Sequence, residues 1–409
     1  MPENTTSHKP SYYVKKRLFG NKPAMLGLIV IILAHLVAGL GYLIMPDQTP
    51  NANDGAVQVQ KKPPVFRVKV LKIRKNLETE HTSFFKKIYN GEESAYTIVP
   101  VNEMPDVVGD SVFFSPYGRE KKRVGFALIN CVKPLYVGQS DKMVNSYEID
   151  GENIIYLDLN NERQTISKRK LEREFWDKNI EDRVFLLGTD KAGRDILSRL
   201  LFGTRISLSI GFVAVLISLL IGVTFGAVAG YFGGKVDAFV MWIMTVIWSI
   251  PTIMLVIAIS LALQNKGIWV AFVAVGLTMW VEIARVVRGQ IMGIKQKLYI
   301  EAASAFGYSN KRIIFKHIMP NILGALIVIS TSNFASAILI EAGLSFLGLG
   351  VQPPMPSWGM MINEGFRAIG TRGSWHLVLL PSLCICFMVL AFNLLGNGLR
   401  DAYDPKELK

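Results

Sequence analysis

Apolar residues are concentrated in six long runs that polar stretches separate. A helix crosses a bilayer core with about 20 apolar residues, and each run approaches or exceeds that length. The runs cover residues 24–45, 206–232, 238–263, 268–287, 321–340 and 375–396. Pro251 predicts a kink in the third run, and Glu282 and Arg285 lie near the end of the fourth. The pattern predicts an all-α polytopic membrane protein with six transmembrane helices.

The polar stretch between the first two runs, residues 46–185, has a different pattern. VFRVKV and IIYLDL alternate apolar and polar residues, as half-buried strands do, and Asp150-Gly151 is a turn signal. The segment SKRKLEREFWDK, residues 167–178, has a helical pattern. We therefore predict a mostly β domain inserted after the first transmembrane helix.

Positive residues predict the orientation of the chain. The formal net charge of +13 would suggest nucleic-acid binding in a soluble protein, but in a membrane protein it is typical of cytoplasmic loops. Lysine and arginine cluster in the N-terminal tail (1–23), after the fourth run and in the C-terminal tail (397–409). The short loops on the other side carry only Lys266, Arg367 and Arg372. Both termini are therefore predicted to be cytoplasmic, residues 46–185 to be extracytoplasmic, and nucleic acid is not an expected partner.

The residues offer no catalytic chemistry. Half of the chain is hydrophobic, and the three cysteines have no spacing that would hold a metal. No phosphate-binding loop and no H-E-x-x-H pattern is present in the sequence. Few ionisable groups lie at bilayer depth, which disfavours an ion-coupled carrier, and His35 is interpreted as a neutral, hydrogen-bonded side chain. We predict no catalytic residue and no metal site, and an energy source outside this chain.

Three glycines on the second run, Gly222, Gly226 and Gly230, have the small-xxx-small spacing that lets another helix approach closely. Packing within the chain is the favoured interpretation, and contact with a second membrane protein is the alternative. The first run is longer than the apolar core of a signal peptide, so it is interpreted as a retained anchor.

A basic segment, EAASAFGYSNKRIIFKHIMPN, begins at Glu301 between two apolar runs. Glu301 is placed favourably near the N-terminus of a short helix, and Gly307 can end that helix with a positive φ. Ser309 or Asn310 can cap a second helix that leads to Pro320. The residues alone leave two functions open: the segment transmits the movement of a soluble partner, or it rests on lipid headgroups as an amphipathic surface element.

The same segment resembles the EAA loop of ABC-importer permeases, with the pattern E-A-A-x-x-x-G and a later proline. The matching residues are Glu301, Ala302, Ala303, Gly307 and Pro320, and His317 with Pro320 and Asn321 is similar to the oligopeptide/dipeptide/nickel branch. Three further stretches resemble that branch: LLGTDKAGRDILSRLLFGTRISL at 186–208, EAGLSFLGLGVQPPMPSWGMMI at 341–362 and GLRDAYDP at 398–405. Met319 and Asn397 depart from its usual residues.

The resemblance implies a type I permease core over residues 186–396, with a cytoplasmic coupling loop at 288–320. Residues implied to couple the chain to an ATPase are Glu301, Ala302, Ala303, Gly307, His317 and Pro320. The implied partners are two ATP-binding cassette subunits that bind the ATP, a second related permease in a heterodimer, and an extracytoplasmic substrate-binding protein. The implied location is the bacterial inner membrane, and no cofactor is expected in this chain.

The implied substrates are oligopeptides or dipeptides. Nickel or another small solute is the alternative within the family, and an ATP-independent channel or carrier is the alternative outside it. Glu341, Trp358 and Arg367 are the candidates to contact substrate, although a packed cap is the simpler interpretation of their loop. Residues 46–185 have no counterpart in the usual family members. We hypothesise that they contact the binding protein or shield the outer mouth.

Overall fold

The computed structural model describes residues 10–78, 83–120, 122–138, 140, 142–370 and 374–404. They fall into two compact units. The membrane unit consists of residues up to Ala38, Gly203–Asn363 and the residues from Leu379, and the sheet unit of Gly39–Phe202 with Glu364–Val378. The described helices are α1 (Pro10–Gly20), α2 (Lys22–Ile44), α3 (Phe84–Asn90), α4 (Leu128–Val132), α5 (Lys168–Lys178), α6 (Ile196–Phe232), α7 (Gly234–Trp248), α8 (Thr252–Ala262), α9 (Ile268–Lys295), α10 (Leu298–Ala305), α11 (Asn310–Arg312), α12 (Met319–Phe346), α13 (Trp358–Phe366) and α14 (His376–Tyr403).

Long apolar helices dominate the described chain, as predicted. Five are long and apolar enough to cross a membrane: α2, α6, α9, the helix from Asn310 through α12, and α14. The predicted third transmembrane helix is instead two helices, α7 and α8, which meet at 90°. Their break ends at Pro251, because proline has no N–H to donate and disfavours a helical residue before it. The helical membrane fold is confirmed, while the number of spans depends on whether this bent pair crosses.

The glycine ladder of α6 lies against α9. A Cβ atom added at Gly222, Gly226 or Gly230 would lie within 2.8 Å of a main-chain oxygen of α9. No larger residue is accommodated at these positions without separating the two helices, so the interpretation of the ladder as intrachain packing is confirmed.

Gly226→Ala should therefore destabilise the membrane unit, by about 1–3 kcal/mol, as overpacking does. Gly39→Ala is a matched control, because Gly39 lies on α2 with no atom within 4 Å of the added Cβ. The measurement is thermal unfolding of both variants in detergent. An unchanged midpoint for Gly226→Ala would contradict the close packing.

The β-structure predicted between residues 46 and 185 is present in the sheet unit. The described strands are β1 (Phe66–Arg74), β2 (Tyr96–Val101), β3 (Asp106–Val108), β4 (Ser111–Phe114), β5 (Val124–Ala127), β6 (Tyr147–Asp150), β7 (Asn153–Leu157), β8 (Arg163–Ser167) and β9 (Ile180–Phe185). They form three antiparallel sheets with strand orders β2-β1-β9, β3-β4-β5 and β6-β7-β8. Gly151, with φ +57°, forms the predicted turn between β6 and β7, and α5 is the predicted helix.

One hydrophobic core joins the three sheets to α4 and α5. It contains Leu71, Val101, Val112, Phe114, Leu128, Ile129, Cys131, Val132, Leu135, Ile154, Ile166, Leu171 and Phe175. Burial raises the pKa of the Cys131 thiol to about 12, so this cysteine packs as a small apolar side chain and is not a nucleophile at neutral pH. The sheet unit thus has its own core.

Candidate functional site

The segment from Arg288 to Pro320, called here the coupling segment, contains the predicted sharp turn. Gly307 follows α10 with φ +76°. Its N–H donates to Ser304 O at 2.9 Å, and the N–H of Tyr308 donates to Ala303 O at 3.2 Å. These two bonds form a Schellman motif, in which a residue with positive φ ends a helix. The predicted conformation of Gly307 is therefore confirmed.

The second half of the coupling segment is continuous with a membrane helix. Ser309 caps α11, since its hydroxyl accepts from the N–H of Arg312 at 3.4 Å. A π-helical turn, Ile313–Ile318, then leads directly into α12. Pro320 is the second residue of α12 and has no N–H to donate into this wider turn. A single helix consequently runs from the coupling segment to Phe346.

The inner face of the coupling segment is fixed to the membrane helices. Its apolar residues share one cluster with residues of α6, α9 and α12, namely Ala227, Tyr231, Ile283, Val287, Ile291, Ile294, Ile300, Ala303, Ile313, Ile318, Ile322 and Leu326. Two polar contacts add to the cluster. Tyr231 donates its hydroxyl to Asn310 Oδ1 at 2.9 Å, and the Lys295 ammonium donates to Tyr231 O at 2.6 Å. A displacement of the segment must therefore move these helices.

The outer face of the coupling segment presents apolar side chains. Leu298 is 83 % exposed, Phe306 81 % and Phe315 70 %. Sequence reasoning missed these three residues. An exposed apolar patch beside charged side chains marks a surface for a partner.

The predicted coupling residues divide between the two faces of the segment. Exposed positions are Glu301, Ala302, Gly307 and Pro320, whereas Ala303 is buried and His317 half-buried. The ring of Tyr308 has the Arg312 guanidinium 4.2 Å from its centroid and the imidazole of His317 stacked at 5.8 Å. His317 is therefore packed against Tyr308 beside the turn, and only part of its side chain is exposed to solvent.

Glu341, a predicted substrate contact, is fully buried in α12. It accepts from the hydroxyl of Ser345 at 2.8 Å and of Ser207 at 3.5 Å, and from that of Ser357. In turn, Ser345 accepts from the N–H of Val351 at 3.2 Å. The carboxylate thus connects α6, α12 and the chain that follows α12.

Trp358 and Arg367 occupy different environments. Trp358 is buried in the membrane unit, and its backbone N–H donates to Ser207 Oγ at 3.4 Å, so it shares this serine with Glu341. Arg367 is exposed and belongs to the sheet unit. The structure brings the first two candidates together around Ser207.

Glu341→Leu should destabilise the membrane unit, because it leaves buried serine hydroxyls without their acceptor, at about 1–3 kcal/mol for each such group. Glu341→Gln should cost less, since its amide oxygen still accepts. Thermal unfolding in detergent compares the two, with the exposed Glu301→Leu as control. Equal midpoints for all three variants would show that the serine contacts contribute nothing.

The L-G-T-D-x-x-G-R-D stretch forms a buried ionic cluster in the sheet unit. Arg194 Nε lies 2.6 Å from Asp190 Oδ2, and its Nη2 lies 3.2 Å from Glu364 Oε2. Arg199, which is fully buried, lies 3.4 Å from Asp190 and 3.6 Å from Glu364. The two positive charges of the arginines are balanced by the two negative charges of the carboxylates. Glu364, at the end of α13, was missed because no local pattern connects it to the motif.

The other residues of this stretch fix the chain locally. Thr189 Oγ1 accepts from the N–H of Lys62 at 2.9 Å. Asp195 begins α6 by accepting from the N–H and the hydroxyl of Ser198 at 2.8 and 2.6 Å. Burial raises the pKa of the Asp195 carboxyl, although the hydrogen bonds from Ser198 act in the opposite direction. The residues of this motif therefore stabilise the fold of the chain where α6 begins.

Comparison with known proteins identifies the family. Residues 222–409 match the model for binding-protein-dependent transport system inner membrane components, and residues 10–64 match that for the N-terminal transmembrane domain of oligopeptide transport permease C. The dipeptide transport system permease protein of Bacillus subtilis is 45 % identical over 54 % of this chain and 68 % of its own length.

The chain belongs to the binding-protein-dependent transport permeases.

Other relatives of the permease have related names. The glutathione transport system permease protein of Pectobacterium atrosepticum is 45 % identical over 54 % of this chain and 72 % of its own. The oligopeptide transport system permease protein of Escherichia coli K12 is 41 % identical over the same shares. Among solved structures, the MetNI methionine ABC transporter in inward-facing conformations is similar at 21 % identity, with a TM-score of 0.43 over 50 % of this chain and 96 % of that one.

These relatives define the type of subunit. The permease is a membrane-spanning subunit of an ABC importer and not an enzyme, and the ATPase is a separate subunit. Residues 65–221 lie outside both family matches. All nine described strands lie in that interval, so the sheets are specific to this permease relative to the family models.

Proposed function

We propose that the permease carries short peptides across the inner membrane and that its coupling segment is the docking element for the ATPase subunit. The observation that carries the proposal is the arrangement of this segment. It exposes Leu298, Phe306 and Phe315 on one face and is fixed to α6, α9 and α12 by the other. ATP-driven movement of a subunit bound to the exposed face is thereby passed to helices in the membrane.

The proposed topology has six spans, with α7 and α8 together as the third. The 1–23 and 397–409 tails and the coupling segment lie in the cytoplasm, and residues 46–185 lie outside. Support comes from the positive residues Lys15, Lys16 and Arg17 before α2 and from Lys311 and Lys316 in the coupling segment. Three further charges that support this orientation, Lys9, Lys406 and Lys409, lie outside the described residues, as does Arg372 on the opposite side.

The proposed assembly contains a second, related permease, two ATP-binding cassette subunits and an extracytoplasmic binding protein. The relatives that are dipeptide and oligopeptide transport permeases support peptides as the substrate class. Nickel is the alternative solute within the family. In this topology residues 46–185 are on the side of the membrane at which the binding protein acts, and their proposed role is to contact it or to shield the outer mouth.

The test is reconstitution of the complete transporter in nanodiscs, with ATP hydrolysis measured as dipeptides, longer peptides or nickel are added with the binding protein. We expect stimulation by peptides. Stimulation by nickel and not by peptides would show that the substrate is nickel. Uptake into vesicles without ATP would overturn the coupling mechanism.

Of the predicted substrate contacts, Arg367 is the one whose side chain is exposed, so it can meet a solute without rearrangement. Glu341 and Trp358 are buried and reach substrate only in another conformation. Arg367→Ala should raise the KM for peptide uptake and leave the unfolding midpoint unchanged. The conservative variant Arg367→Lys should recover part of the loss, and a wild-type KM in Arg367→Ala would exclude the contact.

A further inference from the structure

The short helix α3 of the sheet unit is amphipathic, but its apolar side is exposed. At 100° per residue, Phe84, Phe85, Ile88 and Tyr89 lie on one side of the helix, and its two lysines lie on the other. A helix that packs on its own domain buries its apolar side. In α3 no residue is buried, so the helix contributes nothing to the core of the unit.

The apolar side of α3 is the side turned away from the protein. Phe84 is 61 %, Phe85 80 % and Tyr89 71 % exposed. By contrast, Lys87 on the polar side is half-buried and pairs with Glu92 at 2.6 Å. Three aromatic side chains thus project outward from seven residues. Single exposed apolar residues need no explanation, but a cluster of this kind marks an interaction surface.

The end of α3 lies beside the end of a membrane helix. A Cβ atom at Gly91 would lie 2.7 Å from the ring of Tyr42, which is in the last turn of α2. The N–H of Glu92 donates to Gln48 O at 2.9 Å. Because α3 is only about 10 Å long, all of it lies within about that distance of the level at which α2 ends. The interfacial layer on each side of a bilayer begins at that level and is roughly 5–8 Å thick.

We infer that α3 lies in the membrane interface and inserts Phe84, Phe85 and Tyr89 among the lipid headgroups and upper acyl chains. Aromatic side chains are enriched at this depth because they combine an apolar ring with polar surroundings, and an interfacial helix buries one apolar face there. At the end of α2 itself, Leu40, Leu43 and Ile44 are exposed as well.

This contact attaches the sheet unit to the bilayer at a second point besides the chain connections. The contact requires that α2 lies in the membrane and does not depend on which solute is carried, so a failure of the proposed function would leave it unaffected. The other possible occupant of the aromatic surface is a protein, either the binding protein or the second permease, and the experiment separates the two.

The test places the photoreactive residue p-benzoylphenylalanine at position 85 of the full-length permease in nanodiscs of phosphatidylethanolamine and phosphatidylglycerol. Position 86 is the matched control on the opposite side of the same helix. After irradiation, mass spectrometry identifies the cross-linked partner. We expect lipid adducts at position 85 several-fold above those at position 86.

A second measurement uses the triple variant Phe84→Ser, Phe85→Ser, Tyr89→Ser. Its unfolding midpoint in detergent should equal that of the wild type, because none of the three residues is buried. In nanodiscs its α3 amides should exchange with deuterium several-fold faster than those of the wild type. Equal lipid adducts at positions 85 and 86, equal exchange rates, or cross-links at position 85 to protein and not to lipid would each overturn the inference.

Discussion

Gly307→Val should abolish peptide-stimulated ATP hydrolysis by the assembled transporter while the permease still inserts and folds. No atom lies within 4 Å of a Cβ added at this glycine, so the cause is not a steric clash. The backbone has φ +76°, a conformation that β-branched residues strongly disfavour. Relief of that strain changes the turn between α10 and α11. The exposed Phe306 and Phe315, one on each side of the turn, then no longer present one surface.

Gly307→Asn is the matched control for this prediction, because asparagine tolerates positive φ far better than valine. We expect it to retain most of the stimulated hydrolysis. Insertion is checked by membrane fractionation, and basal hydrolysis of the ATPase subunits is measured without permease. Wild-type stimulation in Gly307→Val would show that the geometry of this turn is not needed for coupling.

Glu364→Leu should have the largest effect on the sheet unit. The substitution leaves the buried guanidinium groups of Arg194 and Arg199 with Asp190 as their remaining acid in the cluster. Breaking a buried ion pair by removing one partner costs about 3–5 kcal/mol, because the remaining charge is uncompensated. Thermal unfolding in detergent and protease resistance of the sheet unit measure the loss. The nearby Arg367→Leu, at an exposed position, should leave both unchanged.

The double variant Arg199→Leu, Glu364→Leu tests the charge explanation. It removes one positive and one negative group, and it leaves the short Asp190–Arg194 pair at 2.6 Å intact. Part of the lost stability should therefore return, as a favourable coupling in a double-mutant cycle. If the double variant is less stable than the wild type by the sum of the two single effects, the two side chains do not interact.

Local features of the fold could be predicted from sequence because they depend on neighbours in the chain. The turn at Gly307 requires only a residue that tolerates positive φ, and the break at Pro251 requires only the missing N–H. The glycine ladder follows from helical periodicity. Alternation in β1 and β7 likewise revealed strands, because side chains of a strand alternate between its two faces.

Features that depend on distant residues could not be predicted in this way. Glu364 contacts Arg194 across 170 positions of sequence, and β1 pairs with β9, more than 100 residues later. Neither pairing leaves a periodic signal. The hydrogen bond that Glu341 accepts from Ser207, 134 positions earlier, was missed for the same reason, and the residue was interpreted from its charge alone. Periodicity identifies which face of an element is buried, but not what covers it.

The uninterrupted helix from Asn310 to Phe346 has a mechanical consequence. It carries Pro320 and Glu341 on one stiff rod, and at 1.5 Å per residue these two positions are about 32 Å apart. Pivoting the rod by about 10° at Pro320, near its Asn310 end, would sweep Glu341 through roughly 5–6 Å. That distance exceeds a hydrogen bond, so a modest tilt is enough to detach the carboxylate from the hydroxyl of Ser207 on α6, whereas Ser345 lies on the same rod and moves with it. The tilt of the helix and the loss of this hydrogen bond would then be a single movement.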